Sequence, residues 1–202
     1  MARLLALLGL ACASLSAAGC APQVVRGGPG TGNDSLDAAA LSVTLDREDI
    51  TYMVADYLER LEPSAFWQKT VKGAPKPPRV AIWPIQNSTS QHLDEQMLTL
   101  LSSIETALVN TGDVRVVDRA SQESLAREIG IQQGTIYDPA SARRMGRQLG
   151  AEYFVTGKIT SIDEKLKGQQ RVQYSLFLQV VEIETGVLRF QNEVTRSKGM
   201  KK

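Results

Sequence analysis

The chain has 202 residues, with 23 basic and 22 acidic side chains and a formal charge of +1. So even a balance excludes the clustered Lys and Arg excess through which proteins grip nucleic acid. The length suits one ordinary domain plus a tail.

The first 19 residues carry one charge, Arg3, then the apolar run "LLALLGLACA" and small residues up to Gly19. A basic start, a short apolar segment and a small-residue cleavage site make a secretory signal. The run is too short to span a bilayer, which takes about 20 apolar residues. The stretch "SLSAAGCAPQ" resembles a bacterial lipobox, in which a nucleophilic thiol takes up diacylglycerol and cleavage leaves that cysteine first. Cys20 is the expected lipidation site. Ala17 stands where the pattern prefers Leu, and Cys12 would leave only Leu4 to Leu10 as the apolar segment. An ordinary signal with an incidental cysteine is the plainer alternative. Lipoproteins held at the inner membrane usually carry Asp after the cysteine; Ala21 here implies sorting to the outer membrane. One acyl chain holds only marginally, so two or three on one sulfur make a lasting anchor.

Cleavage before Cys20 removes Arg3 and leaves the basic and acidic side chains equal at 22 each. No cysteine then remains besides Cys20, so disulfides, cysteine nucleophiles and thiolate metal sites drop out.

Residues 20–45, with "APQVVRGGPGTGNDSLDAAALSVTL" after the cysteine, read as a lipidated flexible tether. It reaches about 85 Å fully stretched and roughly 28 Å as a random coil. The glycines of "GGPGTGND" lack the Lys-Ser or Lys-Thr of a phosphate loop. Residues 46–78 form an amphipathic helical segment and a Pro-rich connector. In "DREDITYMVADYLERL", Ile50, Met53, Val54, Tyr57, Leu58 and Leu61 recur at helical spacing behind Asp46, Glu48 and Asp49. Packing on the parent domain is the usual use of such a stripe; partner binding is the other. "PSAFWQK" adds a turn with Phe66 and Trp67, and "VKGAPKPP" breaks the chain.

Residues 79–196 read as an α/β domain. "RVAIWPI" is a strand, and "QNSTSQHLDEQ" leads into a helix with Asn87, Ser88, Thr89 and Ser90 as candidate caps. Met97, Leu100, Leu101, Ile104 and Leu108 are its buried stripe, closed near Gly112. "DVRVVDR" completes a βαβ unit with parallel strands and a right-handed crossover. "SQESLAREIGIQQG" and "DPASARRMGRQLGA" are further helices, the second with Asp138 as cap, Pro139 at its first position and Gly150 beyond its end. "EYFVTGKITSIDE" and "RVQYSLFLQVVEIE", joined by "KLKGQQ", and "VLRFQNEVT" predict an antiparallel meander. The fold class is α/β, a mixed β-sheet packed with helices in two or three layers. Residues 197–202 read as a frayed basic tail.

Chemistry is hard to assemble from these residues. His92, the single histidine, has no Gly-x-Ser-x-Gly elbow to serve and reads as a loop or helix-start residue. No familiar zinc ligand set exists, and no cofactor or metal is expected. Paired carboxylates remain possible, but aromatic residues make up only 5% of the chain, thin for a sugar cleft. The cap-rich loop after the first strand suits self-capping better than anion binding. The chain reads as a non-enzyme. Arg143, Arg144 and Arg147 form a local basic patch on one helix, either a solvated face or a docking site for an acidic partner surface. Tyr137, in "GTIYDP", is either a lid over the core or an exposed anchor.

The segments "RVAIWPIQNSTSQHLD", "VRVVDRAS", "DPASARRMGRQLGAEYFVTGKI" and "QYSLFLQVVEIETG" resemble the LpoB-type outer-membrane lipoproteins over about 79–195. That resemblance implies a lipidated cysteine, a tether and a small α/β domain similar to the N-terminal domain of TolB. It implies a periplasm-facing monomer on the outer membrane that activates a class A penicillin-binding protein, a peptidoglycan synthase, by docking. Such activation requires tighter binding to the partner's active state. The tether is shorter and richer in Gly than the family's proline-rich ones, and the Asp46–Leu61 helix is a candidate spacer. The alternative is an envelope lipoprotein of the curli-export (CsgG-like) type. That type needs barrel hairpins of about 10-residue strands with an apolar outer face; the strands here read as no longer than a globular sheet needs.

Overall fold

A computed structural model describes residue 40, residues 42–128 and residues 139–201. Cys20, Ala21 and Tyr137 lie outside the described residues, as do Asp138 and the end of the third predicted helix.

Helix α1 (Arg47–Leu61) starts at a capping box: Asp49 N–H donates to Asp46 Oδ1 at 3.0 Å, and Asp46 N–H to Asp49 Oδ2 at 3.1 Å. Its stripe buries Ile50, Met53, Val54, Tyr57 and Leu61. A short π-helical segment, Phe66–Val71, adds Phe66, Trp67 and Val71 to the same core. The helix is therefore part of the domain and does not serve as a spacer, because exposing so continuous a stripe would forfeit about 1.5–3 kcal/mol per large side chain.

Strand β1 (Arg79–Ser88) leads to helix α2 (Asp94–Thr111), which ends on Gly112 at φ 70°, a left-handed conformation suited to glycine. The predicted caps do not cap α2, whose N-cap is Leu93 without a side-chain bond. They bond elsewhere: Asn87 Oδ1 accepts from Thr89 N–H at 3.0 Å, Asn87 Nδ2 donates to Gln91 O at 3.0 Å, and Ser90 Oγ donates to Asp163 Oδ2 at 3.3 Å. Strand β2 is only Arg115–Val116, much shorter than "DVRVVDR" suggested. Asp118 ends it by turning to the next helix, accepting Ser121 N–H at 2.9 Å. Helices α3 (Arg119–Glu128) and α4 (Pro139–Leu149) follow. Strands β3 (Tyr153–Leu166), β4 (Gln169–Glu182) and β5 (Leu188–Lys201) complete the chain.

The sheet order is β2-β1-β3-β4-β5, with β1 parallel to β2 and β3, and β3, β4 and β5 antiparallel. The mixed sheet and the meander match expectation. Strand β5 runs well past its predicted end and β3 slightly past its own, whereas β4 keeps its predicted length and starts two residues earlier. "KLKGQQ" contributes all but Lys167 and Gly168 to strand, because Gly168 at φ 73° allows a two-residue turn. Residues 197–201 are not a frayed tail: they continue β5 in register with β4.

Period-2 alternation sorts side chains to two cores. Val80 and Ile82 join Tyr153, Val155, Val172, Tyr174, Leu176 and Leu178 under α1 and α2. Ala81, Trp83 and Phe154 face the other way, against Met145 of α4 and Leu125 of α3. The result is three layers, with helices on both faces of the sheet.

On the α1 side, polar groups sit inside the seam. Asp49 is 3% exposed, and its carboxylate meets Arg196 Nε at 3.1 Å and Lys198 Nζ at 2.9 Å. Lys198 also pairs with Asp46 and donates to Thr44 O at 2.8 Å. Burial disfavours the Lys198 charge, but its bonds to Asp46 and Asp49 outweigh that and raise its pKa. Burial likewise works against Asp46, and the Lys198 contact and the Asp49 N–H prevail to lower it.

Candidate partner-docking surface

The face of the sheet opposite α1 is only half covered. Helices α3 and α4 pack over Ala81, Trp83, Phe154 and Ile183, leaving the outer part of β3, β4 and β5 without a helix among the described residues. Helix α4 approaches closely because Gly146 has no side chain: a Cβ there would meet Ile183 Cδ1 at 2.7 Å and Phe154 Cζ at 3.0 Å. That close seat sets Arg143 at the edge of the open sheet.

Strand register aligns the open face in rows. Gln86, Lys158, Phe177 and Glu193 make one row, and Ser88, Thr160, Ser175 and Thr195 the next. Neighbouring polar groups satisfy one another: Ser175 and Thr195 hydroxyls lie 3.1 Å apart, and Gln173 Nε2 donates to Ser197 Oγ at 3.1 Å. Phe177 is the half-buried apolar member, with the Lys158 ammonium 5.3 Å from its ring centre.

Between α4 and this face runs a groove of about 670 Å³. Its apolar lining comprises Trp83, Phe154, Phe177, Val181 and Ile183; the Trp83 and Phe154 ring centres are 4.9 Å apart. Arg143 and Lys158 supply positive charge, and Gln86, Gln179 and Gln191 supply amides. Glu182, the one acid in the lining, accepts a bond from Thr185 Oγ1 at 2.7 Å. Such a groove can bind; it holds no nucleophile with an adjacent base.

The family described as "Peptidoglycan-synthase activator LpoB" matches residues 49–195. The chain belongs to the LpoB family. The LpoB C-terminal domain from Escherichia coli superposes with a TM-score of 0.57 at 14% identity, over 74% of this chain and 99% of that one. The same domain from Salmonella enterica gives 0.47 at 15% identity, covering 73% and 94%. Lipoprotein GNA1162 from Neisseria meningitidis gives 0.47 at 15%, covering 61% and 84%. No curated protein matches the chain. Membership of the LpoB family makes the chain a non-catalytic activator of a peptidoglycan synthase, a class A penicillin-binding protein.

In this LpoB-family fold the predicted arginines part company. Arg143 is half-buried and lines the groove, whereas Arg144 and Arg147 are exposed on α4 outside it. Sequence reasoning passed over Lys158 and Phe177. Their signal was the alternation of "YFVTGKIT" and "YSLFLQV", which sets both on the face opposite the buried Val155, Ile159, Leu176 and Leu178. His92 is exposed, 3.3 Å from Asp94, at the start of α2. No group of three metal-ligating side chains occurs among the described residues.

Proposed function

We propose that the chain is moored to the outer membrane through diacylated Cys20, sorted there by Ala21, and presents its domain to the periplasm as a monomer. It raises synthase output by docking the α4 side of the domain, with Arg143, Arg144, Arg147 and Tyr137 in or beside the contact. The fold is similar to the N-terminal domain of TolB. Family membership over 49–195 carries this reading, and the uncovered face beside α4 supports the choice of surface.

The curli-export alternative finds no support. The β3–β4 hairpin is long enough for a barrel strand, but its tip carries Asp163, Glu164, Lys165, Lys167 and Arg171, all exposed, where a lipid-facing hairpin needs an apolar band. The purified chain is expected to raise synthase turnover on lipid II several-fold and to co-purify with the enzyme. Failure of both with the synthases of the same organism overturns the reading. Because α1 belongs to the core, reach falls to the segment before it. Lengthening 21–39 with Gly-Ser should keep activity in cells, and deleting 21–39 should abolish it; Leu45 is spared because it belongs to the core.

A further inference from the structure

The groove's chemistry points beyond a general docking face, on the reading that the chain activates a synthase. We propose that it seats an extended acidic segment of the synthase, one carboxylate meeting Arg143 and Lys158 while an adjacent apolar side chain lies on Phe177.

Cations on the covered side of the sheet are neutralised: Arg196 and Lys198 both reach Asp49. Arg143 and Lys158, on the groove wall, have no ion pair among the described residues. Desolvation of two such cations by a partner becomes favourable only if that partner brings negative charge. Glu182 forms no ion pair with either cation; its carboxylate accepts from Thr185 Oγ1 instead. Glu193 lies one strand further out and is exposed. The floor is preorganised, because Trp83 and Phe154 are each 3% exposed and pack on one another. About 670 Å³ holds a few side chains. Arg beside aromatic rings is the composition of interface hot spots. A glycan fits less well, for Trp83 and Phe154 show too little ring surface for a sugar to stack on.

The test measures Kd for the synthase and its activation with the full chain in detergent. Arg143→Glu with Lys158→Glu should raise Kd about tenfold or more and lower activation in step, with the melting temperature held. Arg143→Lys with Lys158→Arg should retain binding, and wild-type affinity should fall with added salt. Wild-type activation with an unchanged Kd for the double reversal overturns the groove but leaves the activator reading standing. A wild-type chain that neither binds nor activates overturns that reading itself. Loss of sedimentation with purified sacculi on reversal, synthase Kd unchanged, would assign the groove to cell-wall glycan and also overturn the proposal. Should the double reversal unfold, Lys158→Gln alone is read by the same Kd, a rise supporting the groove and no change overturning it.

Discussion

The two faces of the central sheet solve opposite problems. Under α1 and α2, apolar side chains close over one another, and buried Asp49 and Lys198 form a charge cluster with half-buried Asp46 and Arg196. On the other face, hydroxyls and amides in register meet solvent, and Lys158 and Arg143 have no ion pair among the described residues. Stability is concentrated on one side, which frees the other to be shaped for contact.

Substitutions on the two faces should differ accordingly. The largest effect is expected for Trp67→Ala, which removes a side chain 2% exposed together with its indole bond to Asp113 at 3.0 Å. It should cost about 3–5 kcal/mol, read from denaturant unfolding. Asp49→Ala should cost roughly 3 kcal/mol, because Lys198 and Arg196 lose their buried partner. Asp49→Leu with Lys198→Met should recover part of that loss, since the buried Lys198 charge goes with it while half-buried Arg196 and the Asp46 N–H of the capping box stay uncompensated. A recovery of nothing would mean that the cluster holds α1 by geometry alone.

The same cluster contributes to the pH limits, beside Asp56 on the acid side and Tyr57, Tyr153 and Tyr174, raised by burial, on the alkaline side. Asp46 is held below its ordinary value, so its contribution is full above about pH 4 and fades as acid titrates the folded state. Lys198 is held above its ordinary value, so its contribution is full below about pH 10 and fades at higher pH. Melting temperature should be nearly flat between these limits, and Lys198→Met should lessen the alkaline fall without removing the part due to the buried tyrosines. The smallest effect belongs to the open face: Thr195→Ala should change stability by less than about 0.5 kcal/mol. A larger loss would show that this face is also part of the folding core.

Periodicity made most of the fold legible. The α1 and α2 stripes, the Gly112 stop and the meander follow from local spacing, which the chain reports residue by residue. The short β2 and the uncapped start of α2 did not, because Asp118 and Asn87 chose among several hydrogen-bond partners of equal local merit. Nor did the role of Lys198. A lysine among Arg, Ser, Gly and Lys looks solvated until β5 brings it beneath a helix whose cap lies far away in sequence. Of the surface, Arg143 was legible as one of three arginines. Only the close seat of α4 at Gly146 separates it from Arg144 and Arg147.

Because Lys198 meets Asp46 across a sequence separation of 152 residues, the side of α1 that faces β5 cannot be fastened until the last strand is available. A chain exported from its N-terminus would therefore cross the membrane with that seam still open. Closure would coincide with delivery of the final strand, a long-range step of the kind that slows folding and keeps a polypeptide loose enough to be threaded.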